Sequence, residues 1–151
     1  MKAQVNFSGW QAVVALVAVI IFVIIRITSM SDQLDNKPLM EKLQRELNGR
    51  HFSAQMQQIQ MSLAAGDADV ADQARKLAAG GVQILEVTTS APLLGFSSNE
   101  RVVVKVGYFI TMGPRKDDYV TEYFWFTHAA LGNRWHLERR ATPFSYYLNF
   151  M

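Results

Sequence analysis

The sequence predicts an α+β protein in which one N-terminal transmembrane helix precedes short helices packed on a curved antiparallel sheet of three to four strands. Three observations predict it. Residues 7–25, opening on Phe7 and closing on Ile25, contain no charged side chain. Beyond them apolar residues recur at a spacing of nearly four as far as Gly80, the period of a helix with one buried face. After Gly81 the period falls to two, and β-branched and aromatic residues take over, as on a half-buried strand. Helices first and strands afterwards, without alternation, give α+β and not α/β.

The uncharged run of about nineteen residues approaches the roughly 20 that a helix rising 1.5 Å per residue needs to cross the hydrocarbon layer. Its environment is therefore expected to be lipid. Trp10 lies near one end, where an amphipathic ring suits the headgroup level, and Arg26 near the other, where a long stem lets the charge snorkel to water. Both are expected at the membrane interface. A removed signal peptide would offer only Lys2 in its n-region, and Arg26 separates the apolar run from the small residues Ser29 and Ser31, so the anchor is expected to be retained. Residues 1–27 then form the tail and anchor, 28–36 a polar linker, and 37–151 an extramembrane domain of a size that holds one core. The Met-Lys start has the form of a signal anchor, which places the domain outside the cytoplasm. A literal count of Lys2 against Arg26, Lys37, Lys42 and Arg45 favours the opposite side, although the rule weakens for long translocated tails.

Within the domain, Asn36 can cap a helix that has Pro38 in its first turn, and Leu39, Leu43 and Leu47 form its apolar stripe up to a stop at Asn48-Gly49. A second helix places Phe52, Met56, Ile59 and Leu63 inward until Gly66. A third, capped by Asp67, places Val70, Ala74 and Leu77 inward until Gly80-Gly81. Strands are predicted over residues 82–89, 101–112, 119–129 and 134–141. Breaks fall at Pro92, Gly95 and residues 97–99, then over residues 113–118, and a two-residue hairpin at Gly132-Asn133 joins the last two strands.

Composition excludes several chemistries. The net charge of +2 is spread over interspersed acids and bases, with no basic stripe for nucleic acid. Absence of cysteine removes disulfides, thiolate metal sites and thiol nucleophiles. Of the histidines, a two-residue turn sets His128 opposite Leu137 and His136 opposite Ala129, on opposite faces, which argues against a shared metal. Gly95-Phe96-Ser97-Ser98 is not a nucleophile elbow, and Gly80-Gly81 precedes a strand, not a helix, so no phosphate loop is expected. No catalytic residue, cofactor or metal is expected.

The four consecutive aromatics of residues 123–126 are the most informative feature, because a strand sends alternate members to opposite faces. Phe124 and Phe126 join Trp135 and Leu137 beneath the helices. Tyr123 and Trp125 lie on the other face, where Arg140, expected opposite Trp125, can stack on its ring. Tyr123, Trp125 and Arg140 are the candidate partner-binding residues. The apolar C-terminal tail adds Tyr146, Tyr147 and Phe150, unless it packs on its own domain.

Helices before an antiparallel sheet, closing on an aromatic strand, Gly132-Asn133 and Trp135-His136-Leu137-Glu138-Arg139, resemble the cystatin-like and NTF2-like folds, including membrane-anchored VirB8-like components of secretion machinery. The resemblance covers residues 38–142 and transfers no site residue. It implies a single-pass protein of a bacterial inner membrane, with a periplasmic domain that makes protein contacts in a larger secretion or envelope complex. The alternatives are a membrane-tethered NTF2-like cup that binds or transforms a small ligand, and a homo-oligomeric structural element.

Overall fold

The computed structural model describes residues 9–64, 68–92, 99–129 and 134–149. The elements are α1 (Gly9–Thr28), β1 (Met30–Asp32), α2 (Lys37–His51), α3 (Ser53–Ala64), α4 (Ala68–Gly80), β2 (Val82–Ser90), β3 (Asn99–Ile110), β4 (Tyr119–Ala129), β5 (Arg134–Arg140) and α5 (Pro143–Tyr147). The fold is α+β as predicted, with five antiparallel strands in the order β1-β2-β3-β4-β5. The extra strand, β1, lies in the stretch expected to be a linker: Met30 pairs with Ser90 and Asp32 with Thr88 along the edge of β2. Three residues are too few to show a period of two, so this strand is made by its partner and not by its own pattern.

Among the described residues α1 is the one helix long and apolar enough to cross a membrane, and its aliphatic side chains face away from the rest of the protein. α2 begins as its cap predicts, with Asn36 Oδ1 accepting from the Leu39 amide at 3.3 Å and Pro38 in the first turn. It runs past the expected stop to His51, because Asn48 does not turn its side chain back on its own backbone. It is buried instead and donates from Nδ2 to the Leu77 carbonyl at 3.2 Å. This contact brings the end of α4 so close that a Cβ on Gly81 would lie 2.7 Å from Asn48 Oδ1 and 2.9 Å from the Leu77 oxygen. Of the second helix's expected inward residues, Phe52 is buried and Met56 and Ile59 partly so, but Leu63 is exposed. The physical reason is that α3 packs mainly on α4 and α2, which leaves its C-terminal end uncovered. The stop at Gly66, the cap at Asp67, Gly95 and the turn at Gly132-Asn133 lie outside the described residues.

Register divides the sheet into two faces. On the front, Val104 opposes Phe124 and Val102 opposes Phe126, and these join Val106, Tyr108, Ile110, Val82, Val87 and Trp135 beneath Leu39, Leu43 and Leu47 of α2. The three leucines pack on this face of the sheet and are fully buried. On the rear, Val103 opposes Trp125 and Lys105 opposes Tyr123. The short helix α5 lies there, capped by Thr142, whose hydroxyl accepts from the Ser145 amide at 3.2 Å.

The last hairpin departs from the predicted register. Ala129 pairs with Arg134 and His128 with Trp135, two residues away from the register that a two-residue turn sets. Both registers send His128 and His136 to opposite faces, and His128 stacks on Trp135 at 4.3 Å. A bulge follows: Phe126 opposes Leu137, but Trp125 opposes Arg139, leaving Glu138 as the extra residue.

Candidate functional site

Three groups of side chains stand out. The first is the junction of α1 with the rear of the sheet. Arg26, in the last turn of α1, does not snorkel to water as expected. It is 4% exposed and reaches into the protein. Nε donates to the Tyr147 carbonyl at 2.8 Å, and Nη1 donates to the Ala91 carbonyl at 2.9 Å and to Ser29 Oγ at 3.2 Å. Nη2 donates to the Tyr146 carbonyl at 2.6 Å and to Ser90 Oγ. A guanidinium has five N–H donors in a planar fork, and here five acceptors meet them. None is a carboxylate, so backbone dipoles and hydroxyls replace water around the cation. Ser90 Oγ donates to the Tyr146 carbonyl at 2.6 Å, the Tyr146 hydroxyl pairs with Thr88 at 2.8 Å, and buried Asn149 donates to the Ser90 carbonyl at 2.9 Å. α1, the end of β2 and the C-terminal segment are thus tied at one point. The guanidinium and four of its five acceptors lie at least 64 residues apart in sequence, so no local pattern announces the cluster.

The second group is the rear face, where the expected contact residues are partly redistributed. Tyr123 and Trp125 lie on it as alternation requires, both half-buried. Tyr146 is not available to a partner: it is 3% exposed and packs against Tyr123 with ring centroids 5.6 Å apart. Its ring lies against Tyr123 and its hydroxyl against Thr88, so this part of the tail covers its own domain. Tyr147 is exposed, and Phe150 lies outside the described residues. Arg140 is not opposite Trp125. The bulge at Glu138 reverses the alternation beyond it, so Arg140 opposes Phe124 and forms an ion pair with Glu122 at the rim of the front face. Arg101 takes the expected stacking place, 4.7 Å from the Trp125 ring centroid, and bonds Glu138 at 2.7 Å. The hydroxyl of Thr127, reinforced by Arg101, holds the Glu138 carboxyl below the usual carboxylate range. Lys105 pairs with Glu86 at 2.7 Å, and that hydrogen bond raises the ammonium above its ordinary value.

The third group was not visible in sequence. Tyr108, buried in the front core, donates its hydroxyl proton to Glu122 at 3.0 Å and lies 2.7 Å from His51 Nε2. Because the tyrosine proton goes to the carboxylate, Nε2 must be the donor to the phenol oxygen, which fixes the imidazole tautomer. Burial, then the positive charges of Arg115, Arg140 and Arg50, lower the His51 pKa, and burial raises that of Tyr108. The cavity beside His51, lined by Phe52, Gln55, Met112 and Arg115, holds only about 80 Å³. Small-molecule sites span roughly 300–1,000 Å³, well above this volume, and the three side chains join α2 to β3 and β4. Larger hollows are open grooves on the helical side. One of about 620 Å³ between α2 and α3 is lined by Met40, Gln44, Arg45 and Met56, and one of about 400 Å³ between α3 and α4 by Ile59, Val70 and Leu77. Among the described residues no group of three or more acidic or imidazole side chains is arranged to hold a metal.

Compared with known proteins, the chain matches no family model, no curated protein and no solved structure. The geometry alone therefore carries the functional reading.

Proposed function

We propose that the chain is a membrane-tethered, non-catalytic subunit whose domain makes protein contacts within a larger membrane complex. The observation that carries this reading is the Arg26 junction. A tether that only raises local concentration works through a flexible linker, whereas the four hydrogen bonds from Arg26, in the last turn of α1, to the end of β2 and the C-terminal segment would hold the domain in one orientation along the bilayer. Fixed presentation matters to a protein that must meet neighbours in the membrane plane. The half-buried Trp125, flanked by Arg101, supplies an aromatic and arginine pair of the kind that anchors interfaces. The resemblance to VirB8-like domains of secretion or envelope machinery belongs to this proposal, supported by the order of helices and antiparallel strands. So does a bacterial inner-membrane location with the domain in the periplasm. Labelling of Lys116→Cys in intact spheroplasts by an impermeant reagent supports that side, and labelling only after lysis opposes it.

The tethered-cup reading has one observation in its favour, the groove of about 620 Å³ between α2 and α3. The sheet face on which an NTF2-like cup would open is covered by Leu39, Leu43 and Leu47. The test is extraction in mild detergent with quantification of co-purifying chains. Trp125→Ala should lower recovery of specific membrane partners about tenfold or more while changing domain stability by only about 1 kcal/mol. Equal recovery with both proteins, or loss of about 3 kcal/mol of stability as for a core Trp, would remove Trp125 from the contact surface.

A further inference from the structure

We propose that α5 is a second membrane contact, lying in the headgroup layer with Phe144 turned toward lipid. The inference rests on α1 being the membrane anchor. α1 has 20 residues, and at 1.5 Å per residue its length of about 30 Å equals the hydrocarbon thickness. Arg26 stands two residues before the end of the helix, so its level is the hydrocarbon boundary, and helical side chains lean back toward the N-terminus. The Tyr146 and Tyr147 carbonyls accept from that guanidinium at 2.6 and 2.8 Å, so the end of α5 shares its level to within a side chain's length. Phe144 and Tyr147 are three apart and occupy one side of α5, with exposures of 71% and 51%, while Tyr146 turns to the sheet at 3%. Phe144, beside the end of α1, presents an apolar ring of the kind that interfacial segments bury at the headgroup boundary, and Tyr147, an amphipathic aromatic suited to the same layer, keeps its hydroxyl toward Tyr123. Lipid is the occupant favoured over a second copy or another protein because Arg26, which bonds the Tyr146 and Tyr147 carbonyls, stands between Ile25 and Ile27, both exposed on α1.

The chain has no cysteine, so single spin labels can be placed in the full-length protein in liposomes of mixed zwitterionic and anionic phospholipid. Labels go at Phe144→Cys, at Val17→Cys in α1, and at Lys116→Cys in the β3–β4 connection. That connection begins about 23 Å along β3 from Val103 at 3.3 Å per residue. Collision rates are then measured with oxygen, which partitions into lipid, and with a water-soluble nickel chelate. The expected oxygen-to-nickel ratio at position 144 is at least about threefold that at 116 and below that at 17, as for a belt residue. A ratio at 144 equal to that at 116, with 17 still high, overturns the proposal and leaves the anchor standing. Shielding of 144 from both reagents also overturns it, since protein then covers α5. A ratio at 17 as low as that at 116 overturns the anchor reading and this inference with it.

Discussion

Replacing Arg26 with methionine keeps an apolar stem of similar length and deletes the five donors. Tyr146 O retains its bond from Ser90 Oγ, at 2.6 Å, so the carbonyls of Tyr147 and Ala91 are the ones left without the guanidinium. Both bonds are part-buried, so each lost partner costs about 1.5 kcal/mol, toward the low end for an unsatisfied acceptor, which makes the C-terminal segment easier to open by on the order of 3 kcal/mol. At about 1.4 kcal/mol per decade this is roughly a hundredfold loss of amide protection. The reporters are the Tyr146 amide, bonded to Thr142 O at 3.3 Å, and the Leu148 amide, bonded to Phe144 O at 2.9 Å. Hydrogen exchange of the full chain in lipid nanodiscs reads them beside the β3 amides, which serve as an internal reference for global stability. Arg26→Lys, with three donors on a point charge in place of a planar fork, should fall between, losing about tenfold. Protection of α5 within about twofold of wild type in Arg26→Met, with β3 unchanged, would refute the reasoning, because the segment would then be held by Tyr146 packing alone.

Gly81→Ala should destabilise the domain by about 2 kcal/mol or more in urea unfolding, since its Cβ meets the Leu77 carbonyl and Asn48 at once; a change under about 0.5 kcal/mol contradicts the close approach. Folded His51 titrates below its ordinary value of 6.5, so the unfolded chain binds more protons between the two values. Its contribution to stability is therefore complete above 6.5 and is lost as pH falls through the lowered folded value. His51→Gln, which keeps a donor for Tyr108, should unfold with less pH dependence than wild type between about pH 7.5 and 5.5, and equal dependence in the two proteins contradicts the assignment.

Much of this architecture is readable from spacing. The leucines at 39, 43 and 47, the Asn36 cap, the uncharged α1 and the alternation that separates Trp125 from Phe124 and Phe126 are local signals, and the structure places each of them so. What was not readable depends on contacts remote in sequence. An arginine after an apolar run looks the same whether water or Ser90, Ala91, Tyr146 and Tyr147 receives its protons. The bulge at Glu138 carries no glycine to announce it, yet it moved Arg140 to the other face and gave Trp125 to Arg101. His51, Tyr108 and Glu122 are 57 and 14 residues apart along their chain of hydrogen bonds. One missed element did have a signal: Thr142 followed by Pro143 is a cap and first-turn pair of the kind that located α2.

The central claim is that anchor and domain form one rigid unit in the bilayer, held at Arg26. It is tested most directly by a distance distribution between spin labels at Val17→Cys and Lys116→Cys in the full chain in nanodiscs. A latched domain predicts one narrow peak a few Å wide in wild type and a broader one in Arg26→Met, where Ser29 alone separates α1 from the paired strand β1. A wild-type distribution already that broad, and indistinguishable from that of Arg26→Met, would contradict it.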